Sequence, residues 1–444
     1  MRSVVFVCHY FPPQENVGVR RVLFWANYLV INGFDVTVVT TKKHLAGNVY
    51  DVLDERVKVV EVGFFNDILL TNKYDKNKGK RGVKKYDLPF NDKLMLKARR
   101  FKQKFINKYL GQLFDNRIPL VLALSIRLKI SSKKMANFLP KSGSAVLIST
   151  APPWPIHFMA MLISKRFNYY HIVDYRDPFS NNHIFSGSFN NIETFLDQII
   201  CNKADLVTTV SPSWASYYIG LAKNVLLLRN GFDSSYFDFN KEDCDTKSYV
   251  GSNFIDVRSI IVMSYFGSIE VDARVPKDLI YEVLKSNNIN LQLHFYGNCS
   301  SVLDFMNDEG LISNQNKIFF HGFVPYEKTM SLMQSSNINI VSESFGTKMS
   351  HLGLIPTKIY EYMASLKPII VISNSNSDMI KVVEPSGLLF FNANSDSFDY
   401  SSYLNYDFFL NYRFEPKLNY IKSFSRQNVA LDLSAKITEI LKDD

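Results

Sequence analysis

The sequence predicts an α/β protein of two domains, each built on a largely parallel sheet. Three observations point there. A chain of 444 residues is too long for one ordinary core and suits two domains of about 200 residues each. Short, unbroken apolar runs such as Val4-Val5-Phe6-Val7, Val146-Leu147-Ile148 and Ile369-Ile370-Val371-Ile372 have the character of strands buried on both faces, and helix-period sequence follows them. Between two stretches of this alternation, residues 234–257 are polar and aperiodic, as a linker is.

Composition narrows the class. Hydrophobic residues make up 46% of the chain, yet no apolar run approaches the roughly 18 to 20 residues that cross a bilayer. Met1-Arg2-Ser3 leads straight into an apolar run too short for a signal peptide, which reads as the first strand. Cys8, Cys201, Cys244 and Cys299 show no paired spacing, which argues against disulfides and a zinc site and fits a reducing cytoplasm. The net charge of +9 is concentrated in one segment. Residues 73–108 hold 14 of the 51 basic residues and three of the 42 acidic ones, leaving a near balance of 37 and 39 elsewhere.

The first strand is followed by a turn-rich stretch ending at Gly18, then by Val22, Phe24, Trp25, Tyr28 and Leu29 at helical spacing, a stop at Gly33 and a second strand over 36–40. This is a βαβ opening without G-x-G-x-x-G. Arg20 and Arg21 at the helix start either face a ligand or are solvated. Residues 73–85, rich in Lys and Gly, predict a mobile loop. Residues 91–110 predict a helix with Leu94, Ala98, Phe101, Phe105 and Tyr109 on one face and cations around the rest. Such a helix suits an anionic membrane surface, the alternative being that its stripe packs on the domain. No nucleic-acid-binding module is recognisable.

A helix is expected over 118–136, a strand ending at Ser149-Thr150, a helix over 156–165 that carries His157, and a strand leading to Arg176-Asp177. Ligands of open α/β sheets sit beyond the carboxyl ends of strands, so Ser149, Thr150, Arg176 and Asp177 are cleft candidates. The Arg-Asp pair could equally be a salt bridge that fixes the loop. A further strand ends at Ser211, and Asn230-Gly231-Phe232-Asp233 forms a turn before the linker. Asp243-Cys244-Asp245 falls inside that linker and reads as solvated rather than metal-binding.

The second half repeats the pattern: a strand ending at Gly267-Ser268, then Arg274 and Lys277; a strand ending at Gly297; a strand leading to His321-Gly322-Phe323-Val324; and a strand ending near Val341. The stretch Leu352-Gly353-Leu354-Ile355-Pro356-Thr357-Lys358-Ile359-Tyr360-Glu361-Tyr362-Met363-Ala364 then reads as a loop opening abruptly into a helix, with Pro356 at its first turn. Unpaired N–H groups at such a start attract anions. Lys358 adds a full charge there, and Glu361 sits one turn on. Val429, Leu433, Ile437 and Ile440 mark a C-terminal helix.

Five stretches in order resemble motifs of family 4-like glycosyltransferases of the GT-B fold: Phe11-Pro12-Pro13 with Gly18 and Arg20 or Arg21; Ser149-Thr150 with Pro152-Pro153 and His157; Asp174-Tyr175-Arg176-Asp177-Pro178-Phe179; Gly267-Ser268 with Arg274; and Pro356-Thr357-Lys358 with Tyr360-Glu361-Tyr362 and Lys367-Pro368. The resemblance implies two Rossmann-like domains facing across a cleft, with a C-terminal helix crossing back to the first. It places an acceptor-binding domain at 1–235, a linker at 236–258, a nucleotide-sugar domain at 259–424 and the crossover helix at 425–444. It also implies a retaining, metal-independent transferase of the hexosyl or N-acetylhexosaminyl type, with no cofactor beyond a UDP- or GDP-linked sugar as co-substrate. Arg274, Lys358, Glu361 and Asp177 carry the chemistry in this reading. Gly267, Ser268, Lys277, Gly322, Val324, Pro356 and Thr357 hold the donor, and Gly18, Arg20, Ser149, Thr150 and Arg176 line the acceptor side.

The expected acceptor is a lipid-linked saccharide in cell-surface polysaccharide synthesis (O-antigen, capsule or exopolysaccharide), reached from the cytoplasmic face of the membrane with residues 73–110 on the anionic lipid. Many members of the family carry a glutamate eight positions before the one matching Glu361, where this chain has Gly353; His351 could substitute, or be a solvated loop residue. Two alternatives are a sugar-nucleotide epimerase of the same fold and a binding scaffold without catalysis.

Overall fold

The computed structural model describes residues 2–13, 17–41, 53–62, 139–182 (without 142 and 144), 190–239, 249–250 and 260–442 (without 271, 287–289, 312–315 and 347). The basic segment 73–110, the helix expected over 118–136 and Asp243-Cys244-Asp245 lie outside them. The chain forms two compact units: Met1–Leu228 with Ala430–Asp444, and Arg229–Val429.

In the first unit the order is β1 (Ser3–Cys8), α1 (Val17–Ile31), β2 (Asp35–Thr41), β3 (Lys58–Val62), β4 (Ala145–Ala151), α2 (Pro155–Phe167), β5 (Tyr170–Tyr175), α3 (Asn190–Lys203), β6 (Leu206–Thr209), α4 (Pro212–Ile219) and β7 (Val225–Leu227). The sheet order is β3-β2-β1-β4-β5-β6-β7. All pairs are parallel, Ser3 lying opposite both Asp35 and Ala145. Every residue of β1 and β4 is buried, so the unbroken apolar runs follow from layers on both faces of the sheet.

The second unit holds a two-residue strand, β8 (Tyr249–Val250), then β9 (Ile261–Phe266), α5 (Lys277–Lys285), β10 (Leu291–Tyr296), α6 (Ser300–Asp308), β11 (Ile318–Gly322), α7 (Tyr326–Ser335), β12 (Ile338–Ser342), α8 (Met349–Leu352), α9 (Lys358–Ala364), β13 (Ile369–Ile372), α10 (Asp378–Val383), β14 (Leu389–Ala393), α11 (Tyr406–Asn411), β15 (Arg413–Phe414) and α12 (Leu418–Ser423). Its main sheet runs β11-β10-β9-β12-β13-β14, with β15 pairing β8 apart from it. The order of strands reverses between β9 and β12, which leaves a crevice outside their carboxyl ends.

The last helix, α13 (Arg426–Ile440), starts in the second unit, and from Ala430 its residues belong to the first. Val429, Leu433, Ile437 and Ile440 are buried. The turn Asn230-Gly231-Phe232-Asp233, which the sequence places at the end of the first domain, opens the second unit instead. Phe232 is fully buried among Phe237, Met330, Tyr360 and Phe424, and that burial outweighs its place in the chain order. It is pinned by Phe232 N to Phe424 O at 3.2 Å and Arg426 N to Phe232 O at 2.8 Å.

Candidate anion-binding site

The second unit gathers its charged side chains at the reversal point. β9 ends at Phe266, and Gly267 follows with φ 128°. A single 3-10 turn, Asp272–Arg274, then delivers Arg274, whose carbonyl accepts from Ser342 Oγ at the end of β12 at 2.8 Å. Glu343 follows directly, and its Oε2 lies 2.7 Å from Arg274 Nε. Lys358 comes from α9, with its Nζ 3.5 Å from the centroid of the Tyr265 ring.

α9 is held under this crevice by Tyr362, which donates from its hydroxyl to Ile340 O at 3.1 Å and accepts from Phe266 N at 3.0 Å. It is a short helix of seven residues, of which Ile359 to Ala364 are all buried. The helix is therefore buried all round, and so short a helix has little dipole to offer an anion. The attraction rests on Arg274 and Lys358.

The electrostatics are those of a partly desolvated cluster. Burial lowers the Lys358 ammonium to about 7, with Glu343 opposing and Arg274 assisting. Burial raises the Glu343 carboxyl, with Arg274 and Lys358 opposing. Cations that are short of water and close to one another gain most from an added anion.

Glu361 has a different neighbourhood. It is buried, and Tyr326 Oη donates to its Oε1 at 2.7 Å. Arg426 Nη2 lies 3.7 Å from the same oxygen and Arg426 Nη1 lies 3.7 Å from Asp233 Oδ2. Arg426 Nε donates to Gly231 O at 3.1 Å. The structure thus ties Glu361, through Arg426, to the turn at 231–233.

The remaining donor candidates divide. Gly267 lies beside Lys358, a Cβ there falling 3.5 Å from Nζ. Ser268 offers its carbonyl to Tyr265 Oη at 3.4 Å. Lys277 is turned elsewhere: it pairs with Asp272 Oδ2 at 3.2 Å and lies 5.4 Å from the Phe305 ring centroid. Gly322, with φ 67°, ends β11 and accepts from Gly297 N at 2.6 Å. Val324 packs on the cluster around Phe232, and Pro356 and Thr357 lead into α9, Ile359 N donating to Pro356 O at 3.0 Å. His351 braces its own loop. Its Nδ1 lies 3.0 Å from Ser344 Oγ, and its ring is so close to Gly346 that a Cβ there would stand 2.5 to 2.7 Å from it. Gly353 is the buried C-cap of α8.

In the first unit, the cleft candidates are largely committed to internal bonds. Thr150 Oγ1 and Thr208 Oγ1 each donate to Asp174 at 2.8 Å. Arg21 reaches the same carboxylate with Nε at 3.2 Å and Nη2 at 2.9 Å, so it is a structural partner of Asp174. Ser149 Oγ lies 2.8 Å from His157 Nδ1 and 2.9 Å from His171 Nε2. Arg176 donates to Ala151 O at 3.0 Å, Gly18 O at 2.8 Å and Pro152 O at 3.2 Å; it clasps the loop after β4 to the start of α1. Asp177 and Arg20 are half-buried.

Glu343, Tyr265, Tyr326 and Arg426 were not singled out from the sequence. For Glu343 a signal exists: it is the acidic residue immediately after the buried run of β12, at the strand end where ligands gather. Arg426 and Tyr326 come from segments remote from Glu361 in sequence, and no spacing points to them.

Comparison with protein-family models finds no match, and comparison with curated proteins finds none. Solved structures do match. Sucrose-phosphate synthase from Thermosynechococcus elongatus superposes with a TM-score of 0.62 at 12% identity, each chain covered over 100%. Anabaena HepE in complex with UDP-glucose gives 0.58 at 13% identity with the same coverage. A protein described as a UDP-N-acetylglucosamine 2-epimerase, from Listeria monocytogenes, gives 0.52 at 9% identity over 100% of this chain and 97% of that one. The chain has the GT-B fold.

Proposed function

We propose that the protein is a glycosyltransferase that moves a sugar from a UDP- or GDP-linked donor to a lipid-linked saccharide in cell-surface polysaccharide synthesis, with retention of configuration and without a metal. One observation carries the reading: Arg274 and Lys358 converge at the strand-end crevice of the second unit, where negative charge would collect. Transfer breaks the bond between the anomeric carbon and the diphosphate oxygen, so charge grows on the leaving phosphate. Preorganised cations stabilise that charge better than they stabilise the ground state. Glu361 would hold hydroxyls of the donor's ribose. Asp177 would orient the acceptor hydroxyl or take its proton, and residues 73–110 would hold the protein on anionic lipid. UDP-glucose bound to HepE, a protein of the same fold, supports a uridine donor.

The test is thermal stabilisation by a panel of UDP, GDP, dTDP, CMP and ADP sugars with and without EDTA. A ligand present at about 100 times its Kd adds roughly 2.7 kcal/mol. The proposal expects one nucleotide family to stabilise the protein, unchanged by EDTA and lost in Arg274→Ala or Lys358→Ala. No shift with any of them would remove it. Conversion of a nucleotide sugar to its epimer with no acceptor present would instead favour the epimerase reading.

A further inference from the structure

The ion pair between Arg274 and Glu343 has an unusual character. Its atoms are 2.7 Å apart, yet Glu343 Oε2 is a buried oxygen that accepts no hydrogen bond, so the N–H of Arg274 is not aimed at it. Among the described residues the Arg274 guanidinium donates no other hydrogen bond, although it carries five N–H groups. The pair is therefore matched in charge and unsatisfied in geometry. The Glu343 side chain is 9% exposed and that of Arg274 is 28% exposed, so the carboxylate is fixed in the crevice while the guanidinium keeps one side towards solvent. A pair built for stability would show the opposite: the fork of Arg closed on both carboxylate oxygens. Lys358 makes no ion pair among the described residues and rests on the Tyr265 ring.

We propose that Glu343 is the resident counter-anion of the diphosphate site. It balances Arg274 and gives that cation up to the phosphate oxygens of the donor, so its charge sets how tightly a diphosphate is held. This rests on reading the crevice as a donor site. A planar guanidinium offers bidentate bonds to phosphate oxygens that Glu343 does not take up here. Exchange of one anion for another then gains hydrogen bonds at little net cost in charge. It also leaves the Glu343 carboxylate close to the bound diphosphate, which limits affinity and favours release of the product nucleotide.

The experiment is titration calorimetry of UDP and of inorganic diphosphate into the full chain and into its Glu343→Gln and Glu343→Asp variants. Gln keeps the shape and removes the charge, so Glu343→Gln is expected to bind both ligands about tenfold more tightly or better, the scale of a close charge pair. Glu343→Asp, whose carboxylate draws back from Arg274, is expected to fall between. Adding Arg274→Ala to Glu343→Gln should abolish the gain. Equal or weaker binding of inorganic diphosphate by Glu343→Gln overturns the proposal, as does binding of it by no form. If Glu343→Gln does not fold, Glu343→Asp decides by the same sign. Tighter diphosphate binding with no UDP binding in any form would sustain the counter-anion and sink the nucleotide reading. UDP binding that Glu343→Gln weakens would do the reverse.

Discussion

Lys358 Nζ stands 3.5 Å from the centroid of the Tyr265 ring, and this contact with a ring face takes the place of a hydrogen-bonded partner. The charged form is therefore poorly solvated. The groups around it are Glu343, Arg274 and Cys299, and burial brings its pKa from 10.5 to about 7. The folded value lies below the unfolded one, so between them the unfolded chain binds more protons and stability rises with pH, by up to about 1.4 kcal/mol per unit. Below pH 7 the penalty is complete. Lys358→Met removes it. The stability advantage of this variant over the parent, measured by urea unfolding, should be largest near pH 6 to 7 and shrink towards pH 10. An advantage that does not change with pH would contradict the desolvated lysine.

Gly267 and Gly297 form the floor of the same crevice, at φ 128° and 118°. A Cβ on Gly297 would run into the carbonyl of Gly267. Gly297→Ala combines a disfavoured backbone with a clash against main chain and should cost more than about 2 kcal/mol. Gly310, at φ 67° with nothing within 4 Å of its Cβ position, is the control for backbone strain alone; Gly310→Ala should cost about 1 kcal/mol. Equal losses in the two variants would mean that the close approach of Gly267 and Gly297 is unimportant.

Much of the fold was legible because parallel sheets announce themselves. Val4 to Val7, Val146 to Ile148 and Ile369 to Ile372 are buried without alternation, and the strands they predict are present within a residue or two. The site was legible in part. Arg274 and Lys358 come together because both follow strand ends or adjoin the same crevice, a rule that a sequence reveals. Glu343 obeys that rule, but at the head of a polar loop it reads like any solvated carboxylate. The roles of Ser149, Thr150 and Arg176 were less legible, since a polar residue at a strand end reads alike whether it faces ligand or bonds to a neighbouring strand. Only the pairing of β4 with β5 sets Thr150 against Asp174.

That distinction can be tested at Arg176. Its three donors go to backbone carbonyls of Ala151, Gly18 and Pro152, and Lys cannot reproduce the fork. Arg176→Lys is expected to lose about 2 to 4 kcal/mol of stability by chemical denaturation, on the scale of a buried hydrogen-bonded cation. A variant as stable as the parent, with only acceptor kinetics altered, would restore Arg176 to the ligand-facing set.

Acid should also weaken the first unit through its two buried histidines. His157 and His171 flank Ser149 Oγ, and burial holds both below 6.5, His171 at about 3. The folded values lie below the unfolded one, so as pH falls through 6.5 the unfolded chain takes up protons that the folded chain refuses. Stability is then lost at up to about 1.4 kcal/mol per pH unit for each residue. His171→Gln should lower the slope between pH 6.5 and 5 in urea unfolding by up to about 1.4 kcal/mol per pH unit. An unchanged slope would mean that other groups drive acid unfolding.

The bonds that hold Glu361 make a sharper demand on the proposed donor site. Tyr326 Oη donates to Glu361 Oε1 at 2.7 Å, while Arg426 stands 3.7 Å from that oxygen and is itself bound to Gly231 O. Tyr326→Phe deletes one bond to a buried carboxylate and keeps the ring in place. It should cost about 1.5 to 3 kcal/mol of stability and let Glu361 swing within the reach of Arg426. If Glu361 holds ribose hydroxyls, Tyr326→Phe weakens UDP several-fold and leaves inorganic diphosphate, which has no ribose, bound as in the parent. Arg274→Ala should weaken both ligands together. Titration of the two ligands into the two variants separates these outcomes. A Tyr326→Phe variant that loses diphosphate as much as UDP would show that Glu361 acts on the phosphate cluster after all, because the only part those ligands share is the diphosphate.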